Sequence, residues 1–151
     1  GGVSRGGTIP WPKNTKDLGW FKKNTINNVV VMGSKTWTDP LMPWPLPNRV
    51  NVLATTREKE FPGADKYICG DLNKKLKNLK KEYDNKTIWV IGGPNIIEQT
   101  IESIEEFYLS RIPGKYNCDG FLSLDNIETL FTKTWFEKHD SVEFQIWKKN
   151  K

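Results

Sequence analysis

Two stretches decide the fold: Val29-Val30-Val31-Met32-Gly33-Ser34-Lys35-Thr36 and Thr87-Ile88-Trp89-Val90-Ile91-Gly92-Gly93-Pro94-Asn95. Each starts as an apolar run without alternation, the pattern of a parallel strand covered on both faces. Each then reaches glycine and opens a helix. A helix start leaves backbone N–H groups unpaired and carries partial positive charge, and glycine there lets a phosphate approach the main chain. Two such starts side by side can share one dinucleotide. The Gly-Lys-Thr-like letters lack the upstream glycine of a G-x-x-x-x-G-K-[ST] loop, and Ser34 separates Gly33 from Lys35, which disfavours a kinase or ATPase.

Outward from these two junctions the chain alternates strands and helices. Strands are predicted at Asn28–Met32, Val50–Thr55, Lys66–Cys69, Thr87–Ile91, Glu106–Ile112 and Val142–Lys148. Helices are predicted at Thr15–Asn24, briefly from Ser34, at Leu72–Tyr83 and at Asn95–Ser103. The last two strands alternate more, as an antiparallel edge does. The expected fold is α/β: one mostly parallel central sheet with an antiparallel C-terminal edge hairpin and helices on both faces. Ligands then bind at the carboxyl ends of the strands.

The 151 residues are the length of one domain. A hydrophobic share of 36%, with seven Trp, four Tyr and seven Phe, supplies a real core and excludes wholesale disorder. No run approaches the roughly 20 apolar residues of a membrane-spanning helix, and Gly1–Gly7 lacks the apolar centre of a signal peptide. Cys69 and Cys118 have no metal-type spacing and are expected to be free thiols in a reducing cytoplasm. His139 is the only histidine, so a metal site or a His-dependent hydrolase lacks material, and its ring is expected to be solvated. The net charge of +5 favours anionic partners. Much of the excess, Lys74, Lys75, Lys77, Lys80 and Lys81, falls on the wet face of a helix capped by Asp71 and buried through Leu72, Leu76 and Leu79. Aromatics do not interleave with those lysines, as a nucleic-acid groove requires.

The order Ile9-Pro10-Trp11-Pro12, Asp17-Leu18-Gly19-Trp20-Phe21-Lys22, Val31-Met32-Gly33-Ser34-Lys35-Thr36-Trp37, Pro45-Leu46-Pro47-Asn48-Arg49, Val52 to Arg57, Val90-Ile91-Gly92-Gly93 and Tyr108-Leu109-Ser110-Arg111-Ile112 resembles dihydrofolate reductase over nearly the whole chain. The resemblance implies reduction of 7,8-dihydrofolate by hydride transfer from NADPH in a cytoplasmic monomer. It assigns Asp17, otherwise an ordinary first-turn acid, the holding of the pterin ring and assistance to N5 protonation. Ser110 matches a hydroxyl bonded to that acid, and Trp11 a shield over it. Leu18, Phe21, Leu46 and Ile91 match the walls around the substrate, and Arg49 matches the clamp on its α-carboxylate. The cofactor would meet Ile9, then Gly33, Ser34, Lys35 and Thr36 at one helix start and Gly92, Gly93, Asn95 and Ile96 at the other. The family's Gly-Gly bond is cis. Thr55, Thr56 and Arg57 match the turn that grips the 2′-phosphate, although Ser34 stands where a basic residue is often found. Gly6, Gly7 and Thr8 match a lid.

The resemblance also implies an apolar central strand ahead of Gly1. About six buried side chains at roughly 1.5–3 kcal/mol each rival a typical total stability of about 5–15 kcal/mol. Residues before Gly1 in the natural protein, or another segment in that place, are therefore expected. Other readings are a relative that binds nucleotide or folate without turnover, a riboflavin-pathway reductase of related fold and, last, a basic nucleic-acid binder.

Overall fold

The computed structural model describes residues 2–4, 15–39, 45–111, 120–121, 124–139 and 142–150; of residues 2–4, 15–17, 120–121 and 124–126 only the backbone is considered. Four parallel strands form the first sheet, in the order β4 (Lys66–Ile68), β3 (Val50–Ala54), β2 (Val29–Gly33) and β5 (Ile88–Gly92). Every residue of β2 is buried, as its unbroken apolar run predicts. Successive side chains of a strand point to opposite faces, and the two faces carry separate cores. On one, Val29, Val31, Val52 and Ala54 meet Leu72, Leu76 and Leu79 of helix α3 (Leu72–Glu82) and Ile96 of α4 (Pro94–Thr100). On the other, Val30, Met32 and Leu53 meet Trp37, Leu46, Trp89, Ile91 and Phe21, the last from α1 (Thr15–Thr25). Helices thus cover both faces.

A second, antiparallel sheet runs β6 (Glu106–Arg111), β9 (Val142–Lys149) and β8 (Phe131–His139). Phe107 and Leu109 of β6 face a third core with Ile127, Phe131, Ile97 and Trp147. Tyr108 faces the other way, onto Trp20 of α1 at 5.6 Å between ring centroids. Trp20 also stacks on Phe144 of β9 at 4.4 Å and 11°. Helix α1 therefore rests on both sheets, on the first through Phe21 and on the second through Trp20. Short strands β1 (Gly2–Ser4) and β7 (Gly120–Phe121) pair with each other. The remaining α-helices among the described residues are α2 (Ser34–Trp37) and α5 (Leu124–Leu130).

The two predicted edge strands pair as expected, but β8 and α5 were not foreseen. The sequence Phe131-Thr-Lys-Thr-Trp-Phe-Glu-Lys-His139 buries only its first residue fully, so its letters carry no period-2 signal. The helix predicted to Ser103 ends at Thr100 and tightens into a 3₁₀ turn, Ile101–Ser103. The sheet is also divided. Among the described residues β5 pairs only with β2 and β6 only with β9, while Trp89 of β5 meets Tyr108 of β6 edge-on at 4.7 Å. The indole Nε1 of Trp89 is buried there with no hydrogen-bond partner among the described residues.

Candidate active site

Because the four strands are parallel, their carboxyl ends share one edge. In register, Gly33 lies beside Ala54, and a shift after Val31 brings Gly92 opposite Met32. The predicted cofactor residues that follow these strands are therefore gathered along one rim: Thr55, Thr56 and Arg57 after β3, Ser34, Lys35 and Thr36 after β2, and Gly93, Asn95 and Ile96 after β5. The packing between the two helix starts is close. A Cβ on Gly33 would lie 2.9 Å from Cγ1 of Ile96, and one on Gly92 would lie 3.3 Å from Oγ1 of Thr36. Gly92 has φ +140°, a conformation other residues rarely adopt. The Gly92–Gly93 peptide is cis, as the resemblance implies. Gly33 caps α2 and Gly93 caps α4, and neither cap supplies a side-chain hydrogen bond to the first-turn N–H groups.

At the β3 end, the Thr55 hydroxyl accepts a bond from the Arg57 backbone N–H at 3.1 Å. Arg57 pairs with Glu60 at 3.1 Å and lies over Phe61 at 5.5 Å. Both charged side chains are well exposed, so that pair is worth little and can be exchanged for another anion. Asn95 accepts a bond from Gln99 within its own helix.

The predicted substrate residues lie on the α1 face of the same sheet. Phe21, Leu46 and Ile91 enter one apolar cluster above Val30, Met32 and Leu53. Leu18 sits one turn before Phe21 in α1 and is half-buried. The backbone of Asp17 is in the first turn of α1; its side chain lies outside the described residues, as do Ile9, Trp11, the lid residues Gly6–Thr8 and Cys118 in full. Ser110 occupies the same face of β6 as Tyr108, two residues away, and so faces the side on which α1 rests.

Arg49 sits at the opposite rim, just before β3. Its Nε donates to the Pro47 carbonyl and its Nη1 to the Thr25 hydroxyl, both at 3.0 Å. These two partners are neutral, so they orient the guanidinium without cancelling its charge. Partial burial lowers the Arg49 pKa from its ordinary value because desolvation disfavours the cation. The loop carrying Arg49 hangs on Asn51, 1% exposed. Asn51 accepts from Leu46 N at 2.9 Å and donates to the carbonyls of Leu46 at 2.9 Å and Arg49 at 3.0 Å. The turns Asn27 and Asn48, both at positive φ, are joined by a 2.8 Å backbone bond. Sequence reasoning passed over Asn51 and Thr25; a buried amide and hydroxyl beside a predicted clamp are visible only once the chain is folded.

Among the described residues no cluster of His, Cys, Asp and Glu could hold a metal, and no helix is long and apolar enough to cross a membrane. His139 is not free in solvent: it pairs with Glu137 at 2.5 Å and its ring tilts over Phe144. Cys69 is an exposed free thiol.

A family model described as dihydrofolate reductase matches residues 1–149. The dihydrofolate reductase of Buchnera aphidicola subsp. Schizaphis graminum is 36% identical over 147 residues, spanning 94% of this chain and 87% of its own length. That of Drosophila melanogaster is 30% identical over 131 residues, 80% of this chain and 71% of its own. A viral dihydrofolate reductase from Saimiriine herpesvirus 2 is 27% identical over 169 residues, 98% of this chain and 79% of its own. A rim of strand ends with two close-packed glycine junctions, an apolar face under α1 and a match over almost the whole sequence lead to one conclusion: the chain belongs to the dihydrofolate reductase family.

Proposed function

We propose that the protein reduces 7,8-dihydrofolate to 5,6,7,8-tetrahydrofolate with NADPH, as a cytoplasmic monomer. The observation that carries this reading is the convergence of Phe21, Leu46 and Ile91 in one apolar cluster under α1, with Arg49 bonded to Thr25 at the end of that helix. From Asp17 to Thr25 is eight residues, or about 12 Å of helix axis. Asp17 holds the pterin ring through paired hydrogen bonds and, through a water, favours a proton at N5. An acid among apolar walls binds an amidine-like ring edge strongly because water no longer competes. Ser110 steadies that acid, and Trp11 shields the acid and its water from bulk solvent. Arg49 takes the α-carboxylate at the far end, where a planar fork fits two oxygens.

The residues present fit the cofactor. Gly33 and Gly92 let the two helix starts close on each other, with Ile96 and Thr36 packed against them, so that both starts face one rim. Ser34, Lys35, Gly93 and Asn95 would hold the pyrophosphate, Ile9 would face the nicotinamide, and Thr55, Thr56 and Arg57 would hold the 2′-phosphate. NADPH, when bound, supplies the hydride; the chain supplies placement and field. The test is loss of NADPH absorbance on adding dihydrofolate. Wild type is expected to turn over, and Asp17→Asn to lose at least a hundredfold in kcat/KM. Normal turnover in Asp17→Asn, or none in wild type with both ligands bound, overturns the reading.

A further inference from the structure

We propose that Thr25 is a positioning residue for the carboxylate clamp, one that fixes the Arg49 guanidinium before ligand arrives. The inference rests on the reading of Arg49 given above. Thr25 ends α1 and is 2% exposed. A guanidinium has donors only, so in the 3.0 Å contact with Arg49 Nη1 the Thr25 oxygen must accept. Its single proton is then committed to the Phe21 carbonyl at 2.8 Å. Both directions follow from chemistry, and the hydroxyl has no alternative orientation that keeps both bonds.

This arrangement ties the two ends of the substrate site. Phe21, whose side chain lines the apolar face, supplies the carbonyl that aims Thr25, and Thr25 aims Arg49. From its own side the guanidinium is held at Nε by Pro47, on a loop clamped by Asn51. Two points define the direction of a planar group. Among the described contacts the Nη2 hydrogens and the second Nη1 hydrogen are left uncommitted, so a carboxylate meets a fork already ordered and incurs less rotamer entropy on binding. Valine would fill the same space but carries no oxygen to accept the hydrogen bond from Arg49.

Steady-state kinetics with two substrates tests this: dihydrofolate, and a 6-methyl-7,8-dihydropterin that lacks the benzoylglutamate tail. Thr25→Val keeps the shape and removes the acceptor. It is expected to raise KM for dihydrofolate about tenfold, with kcat within twofold and KM for the tail-less pterin unchanged. Thr25→Ser restores wild-type KM, and melting temperatures are read on each variant. An equal rise in KM for both substrates, or failure of Thr25→Ser to rescue, means a purely structural role and overturns the proposal. So does an unchanged KM for dihydrofolate in Thr25→Val. Arg49→Lys run in parallel separates the two readings: if it too leaves dihydrofolate KM unchanged, the clamp itself is misassigned.

Discussion

Asn51 shows how much a single amide can carry. It is fully enclosed, bonds to both polar groups of Leu46 and to the Arg49 carbonyl, and donates its own backbone N–H to the Asp65 carboxylate at 2.7 Å. Asn51→Leu removes all three side-chain bonds and leaves the Leu46 N–H and carbonyl without partners. Each orphaned buried group costs about 1–3 kcal/mol, so urea denaturation is expected to show a loss of about 2–6 kcal/mol. KM for dihydrofolate rises with it, because Leu46 and Arg49 sit on the released loop. Gly92 is the second such position. At φ +140°, with Thr36 Oγ1 only 3.3 Å from where a Cβ would be, Gly92→Ala combines backbone strain with a clash. A cost of about 1–3 kcal/mol is expected. Fluorescence titration with NADPH should show weaker binding, since the displaced Thr36 lies on the rim of strand ends proposed to hold the cofactor.

Among the elements, α3 and α1 make a useful contrast. Helix α3 was fully legible in the letters: Asp71 accepts from Lys74 N, and Leu72, Leu76 and Leu79 are buried on one stripe with lysines opposite. It lies on the sheet face opposite the proposed substrate residues Phe21, Leu46 and Ile91. Asp71→Ala is therefore expected to cost about 1 kcal/mol of stability and leave KM for both substrates unaltered, as thermal melts and kinetics will show. Helix α1 was legible as a helix but not in its double contact. Trp20 reads as one more apolar residue beside Phe21, yet the two side chains serve different sheets. Trp20→Ala deletes stacking on Phe144 and Tyr108, and a loss of about 2–4 kcal/mol in denaturant unfolding is expected. The parallel strands were predictable because burial on both faces removes alternation. Strand β8 was not, because solvent bathes nearly its whole length and an exposed edge leaves no periodic mark. The glycine junctions were found from sequence because close approach demands glycine; their mutual packing was not, because Gly33 and Ile96 are 63 positions apart and only the fold joins them.

At the scale of the molecule, the two sheets meet at β5 and β6. Both strands present an edge without a strand partner among the described residues, and the contact between them is the edge-on packing of Trp89 against Tyr108, where the buried Trp89 Nε1 lies.

The double seat of α1 has one more consequence. A beam resting on two walls resists their parting only while it stays put, and a ligand lying along that beam adds weight to it. Folate occupancy should therefore be felt far from the pocket, as slower amide exchange in β8 and β9 as well as in β2 and β5, the two walls moving in step when loaded and more independently when bare.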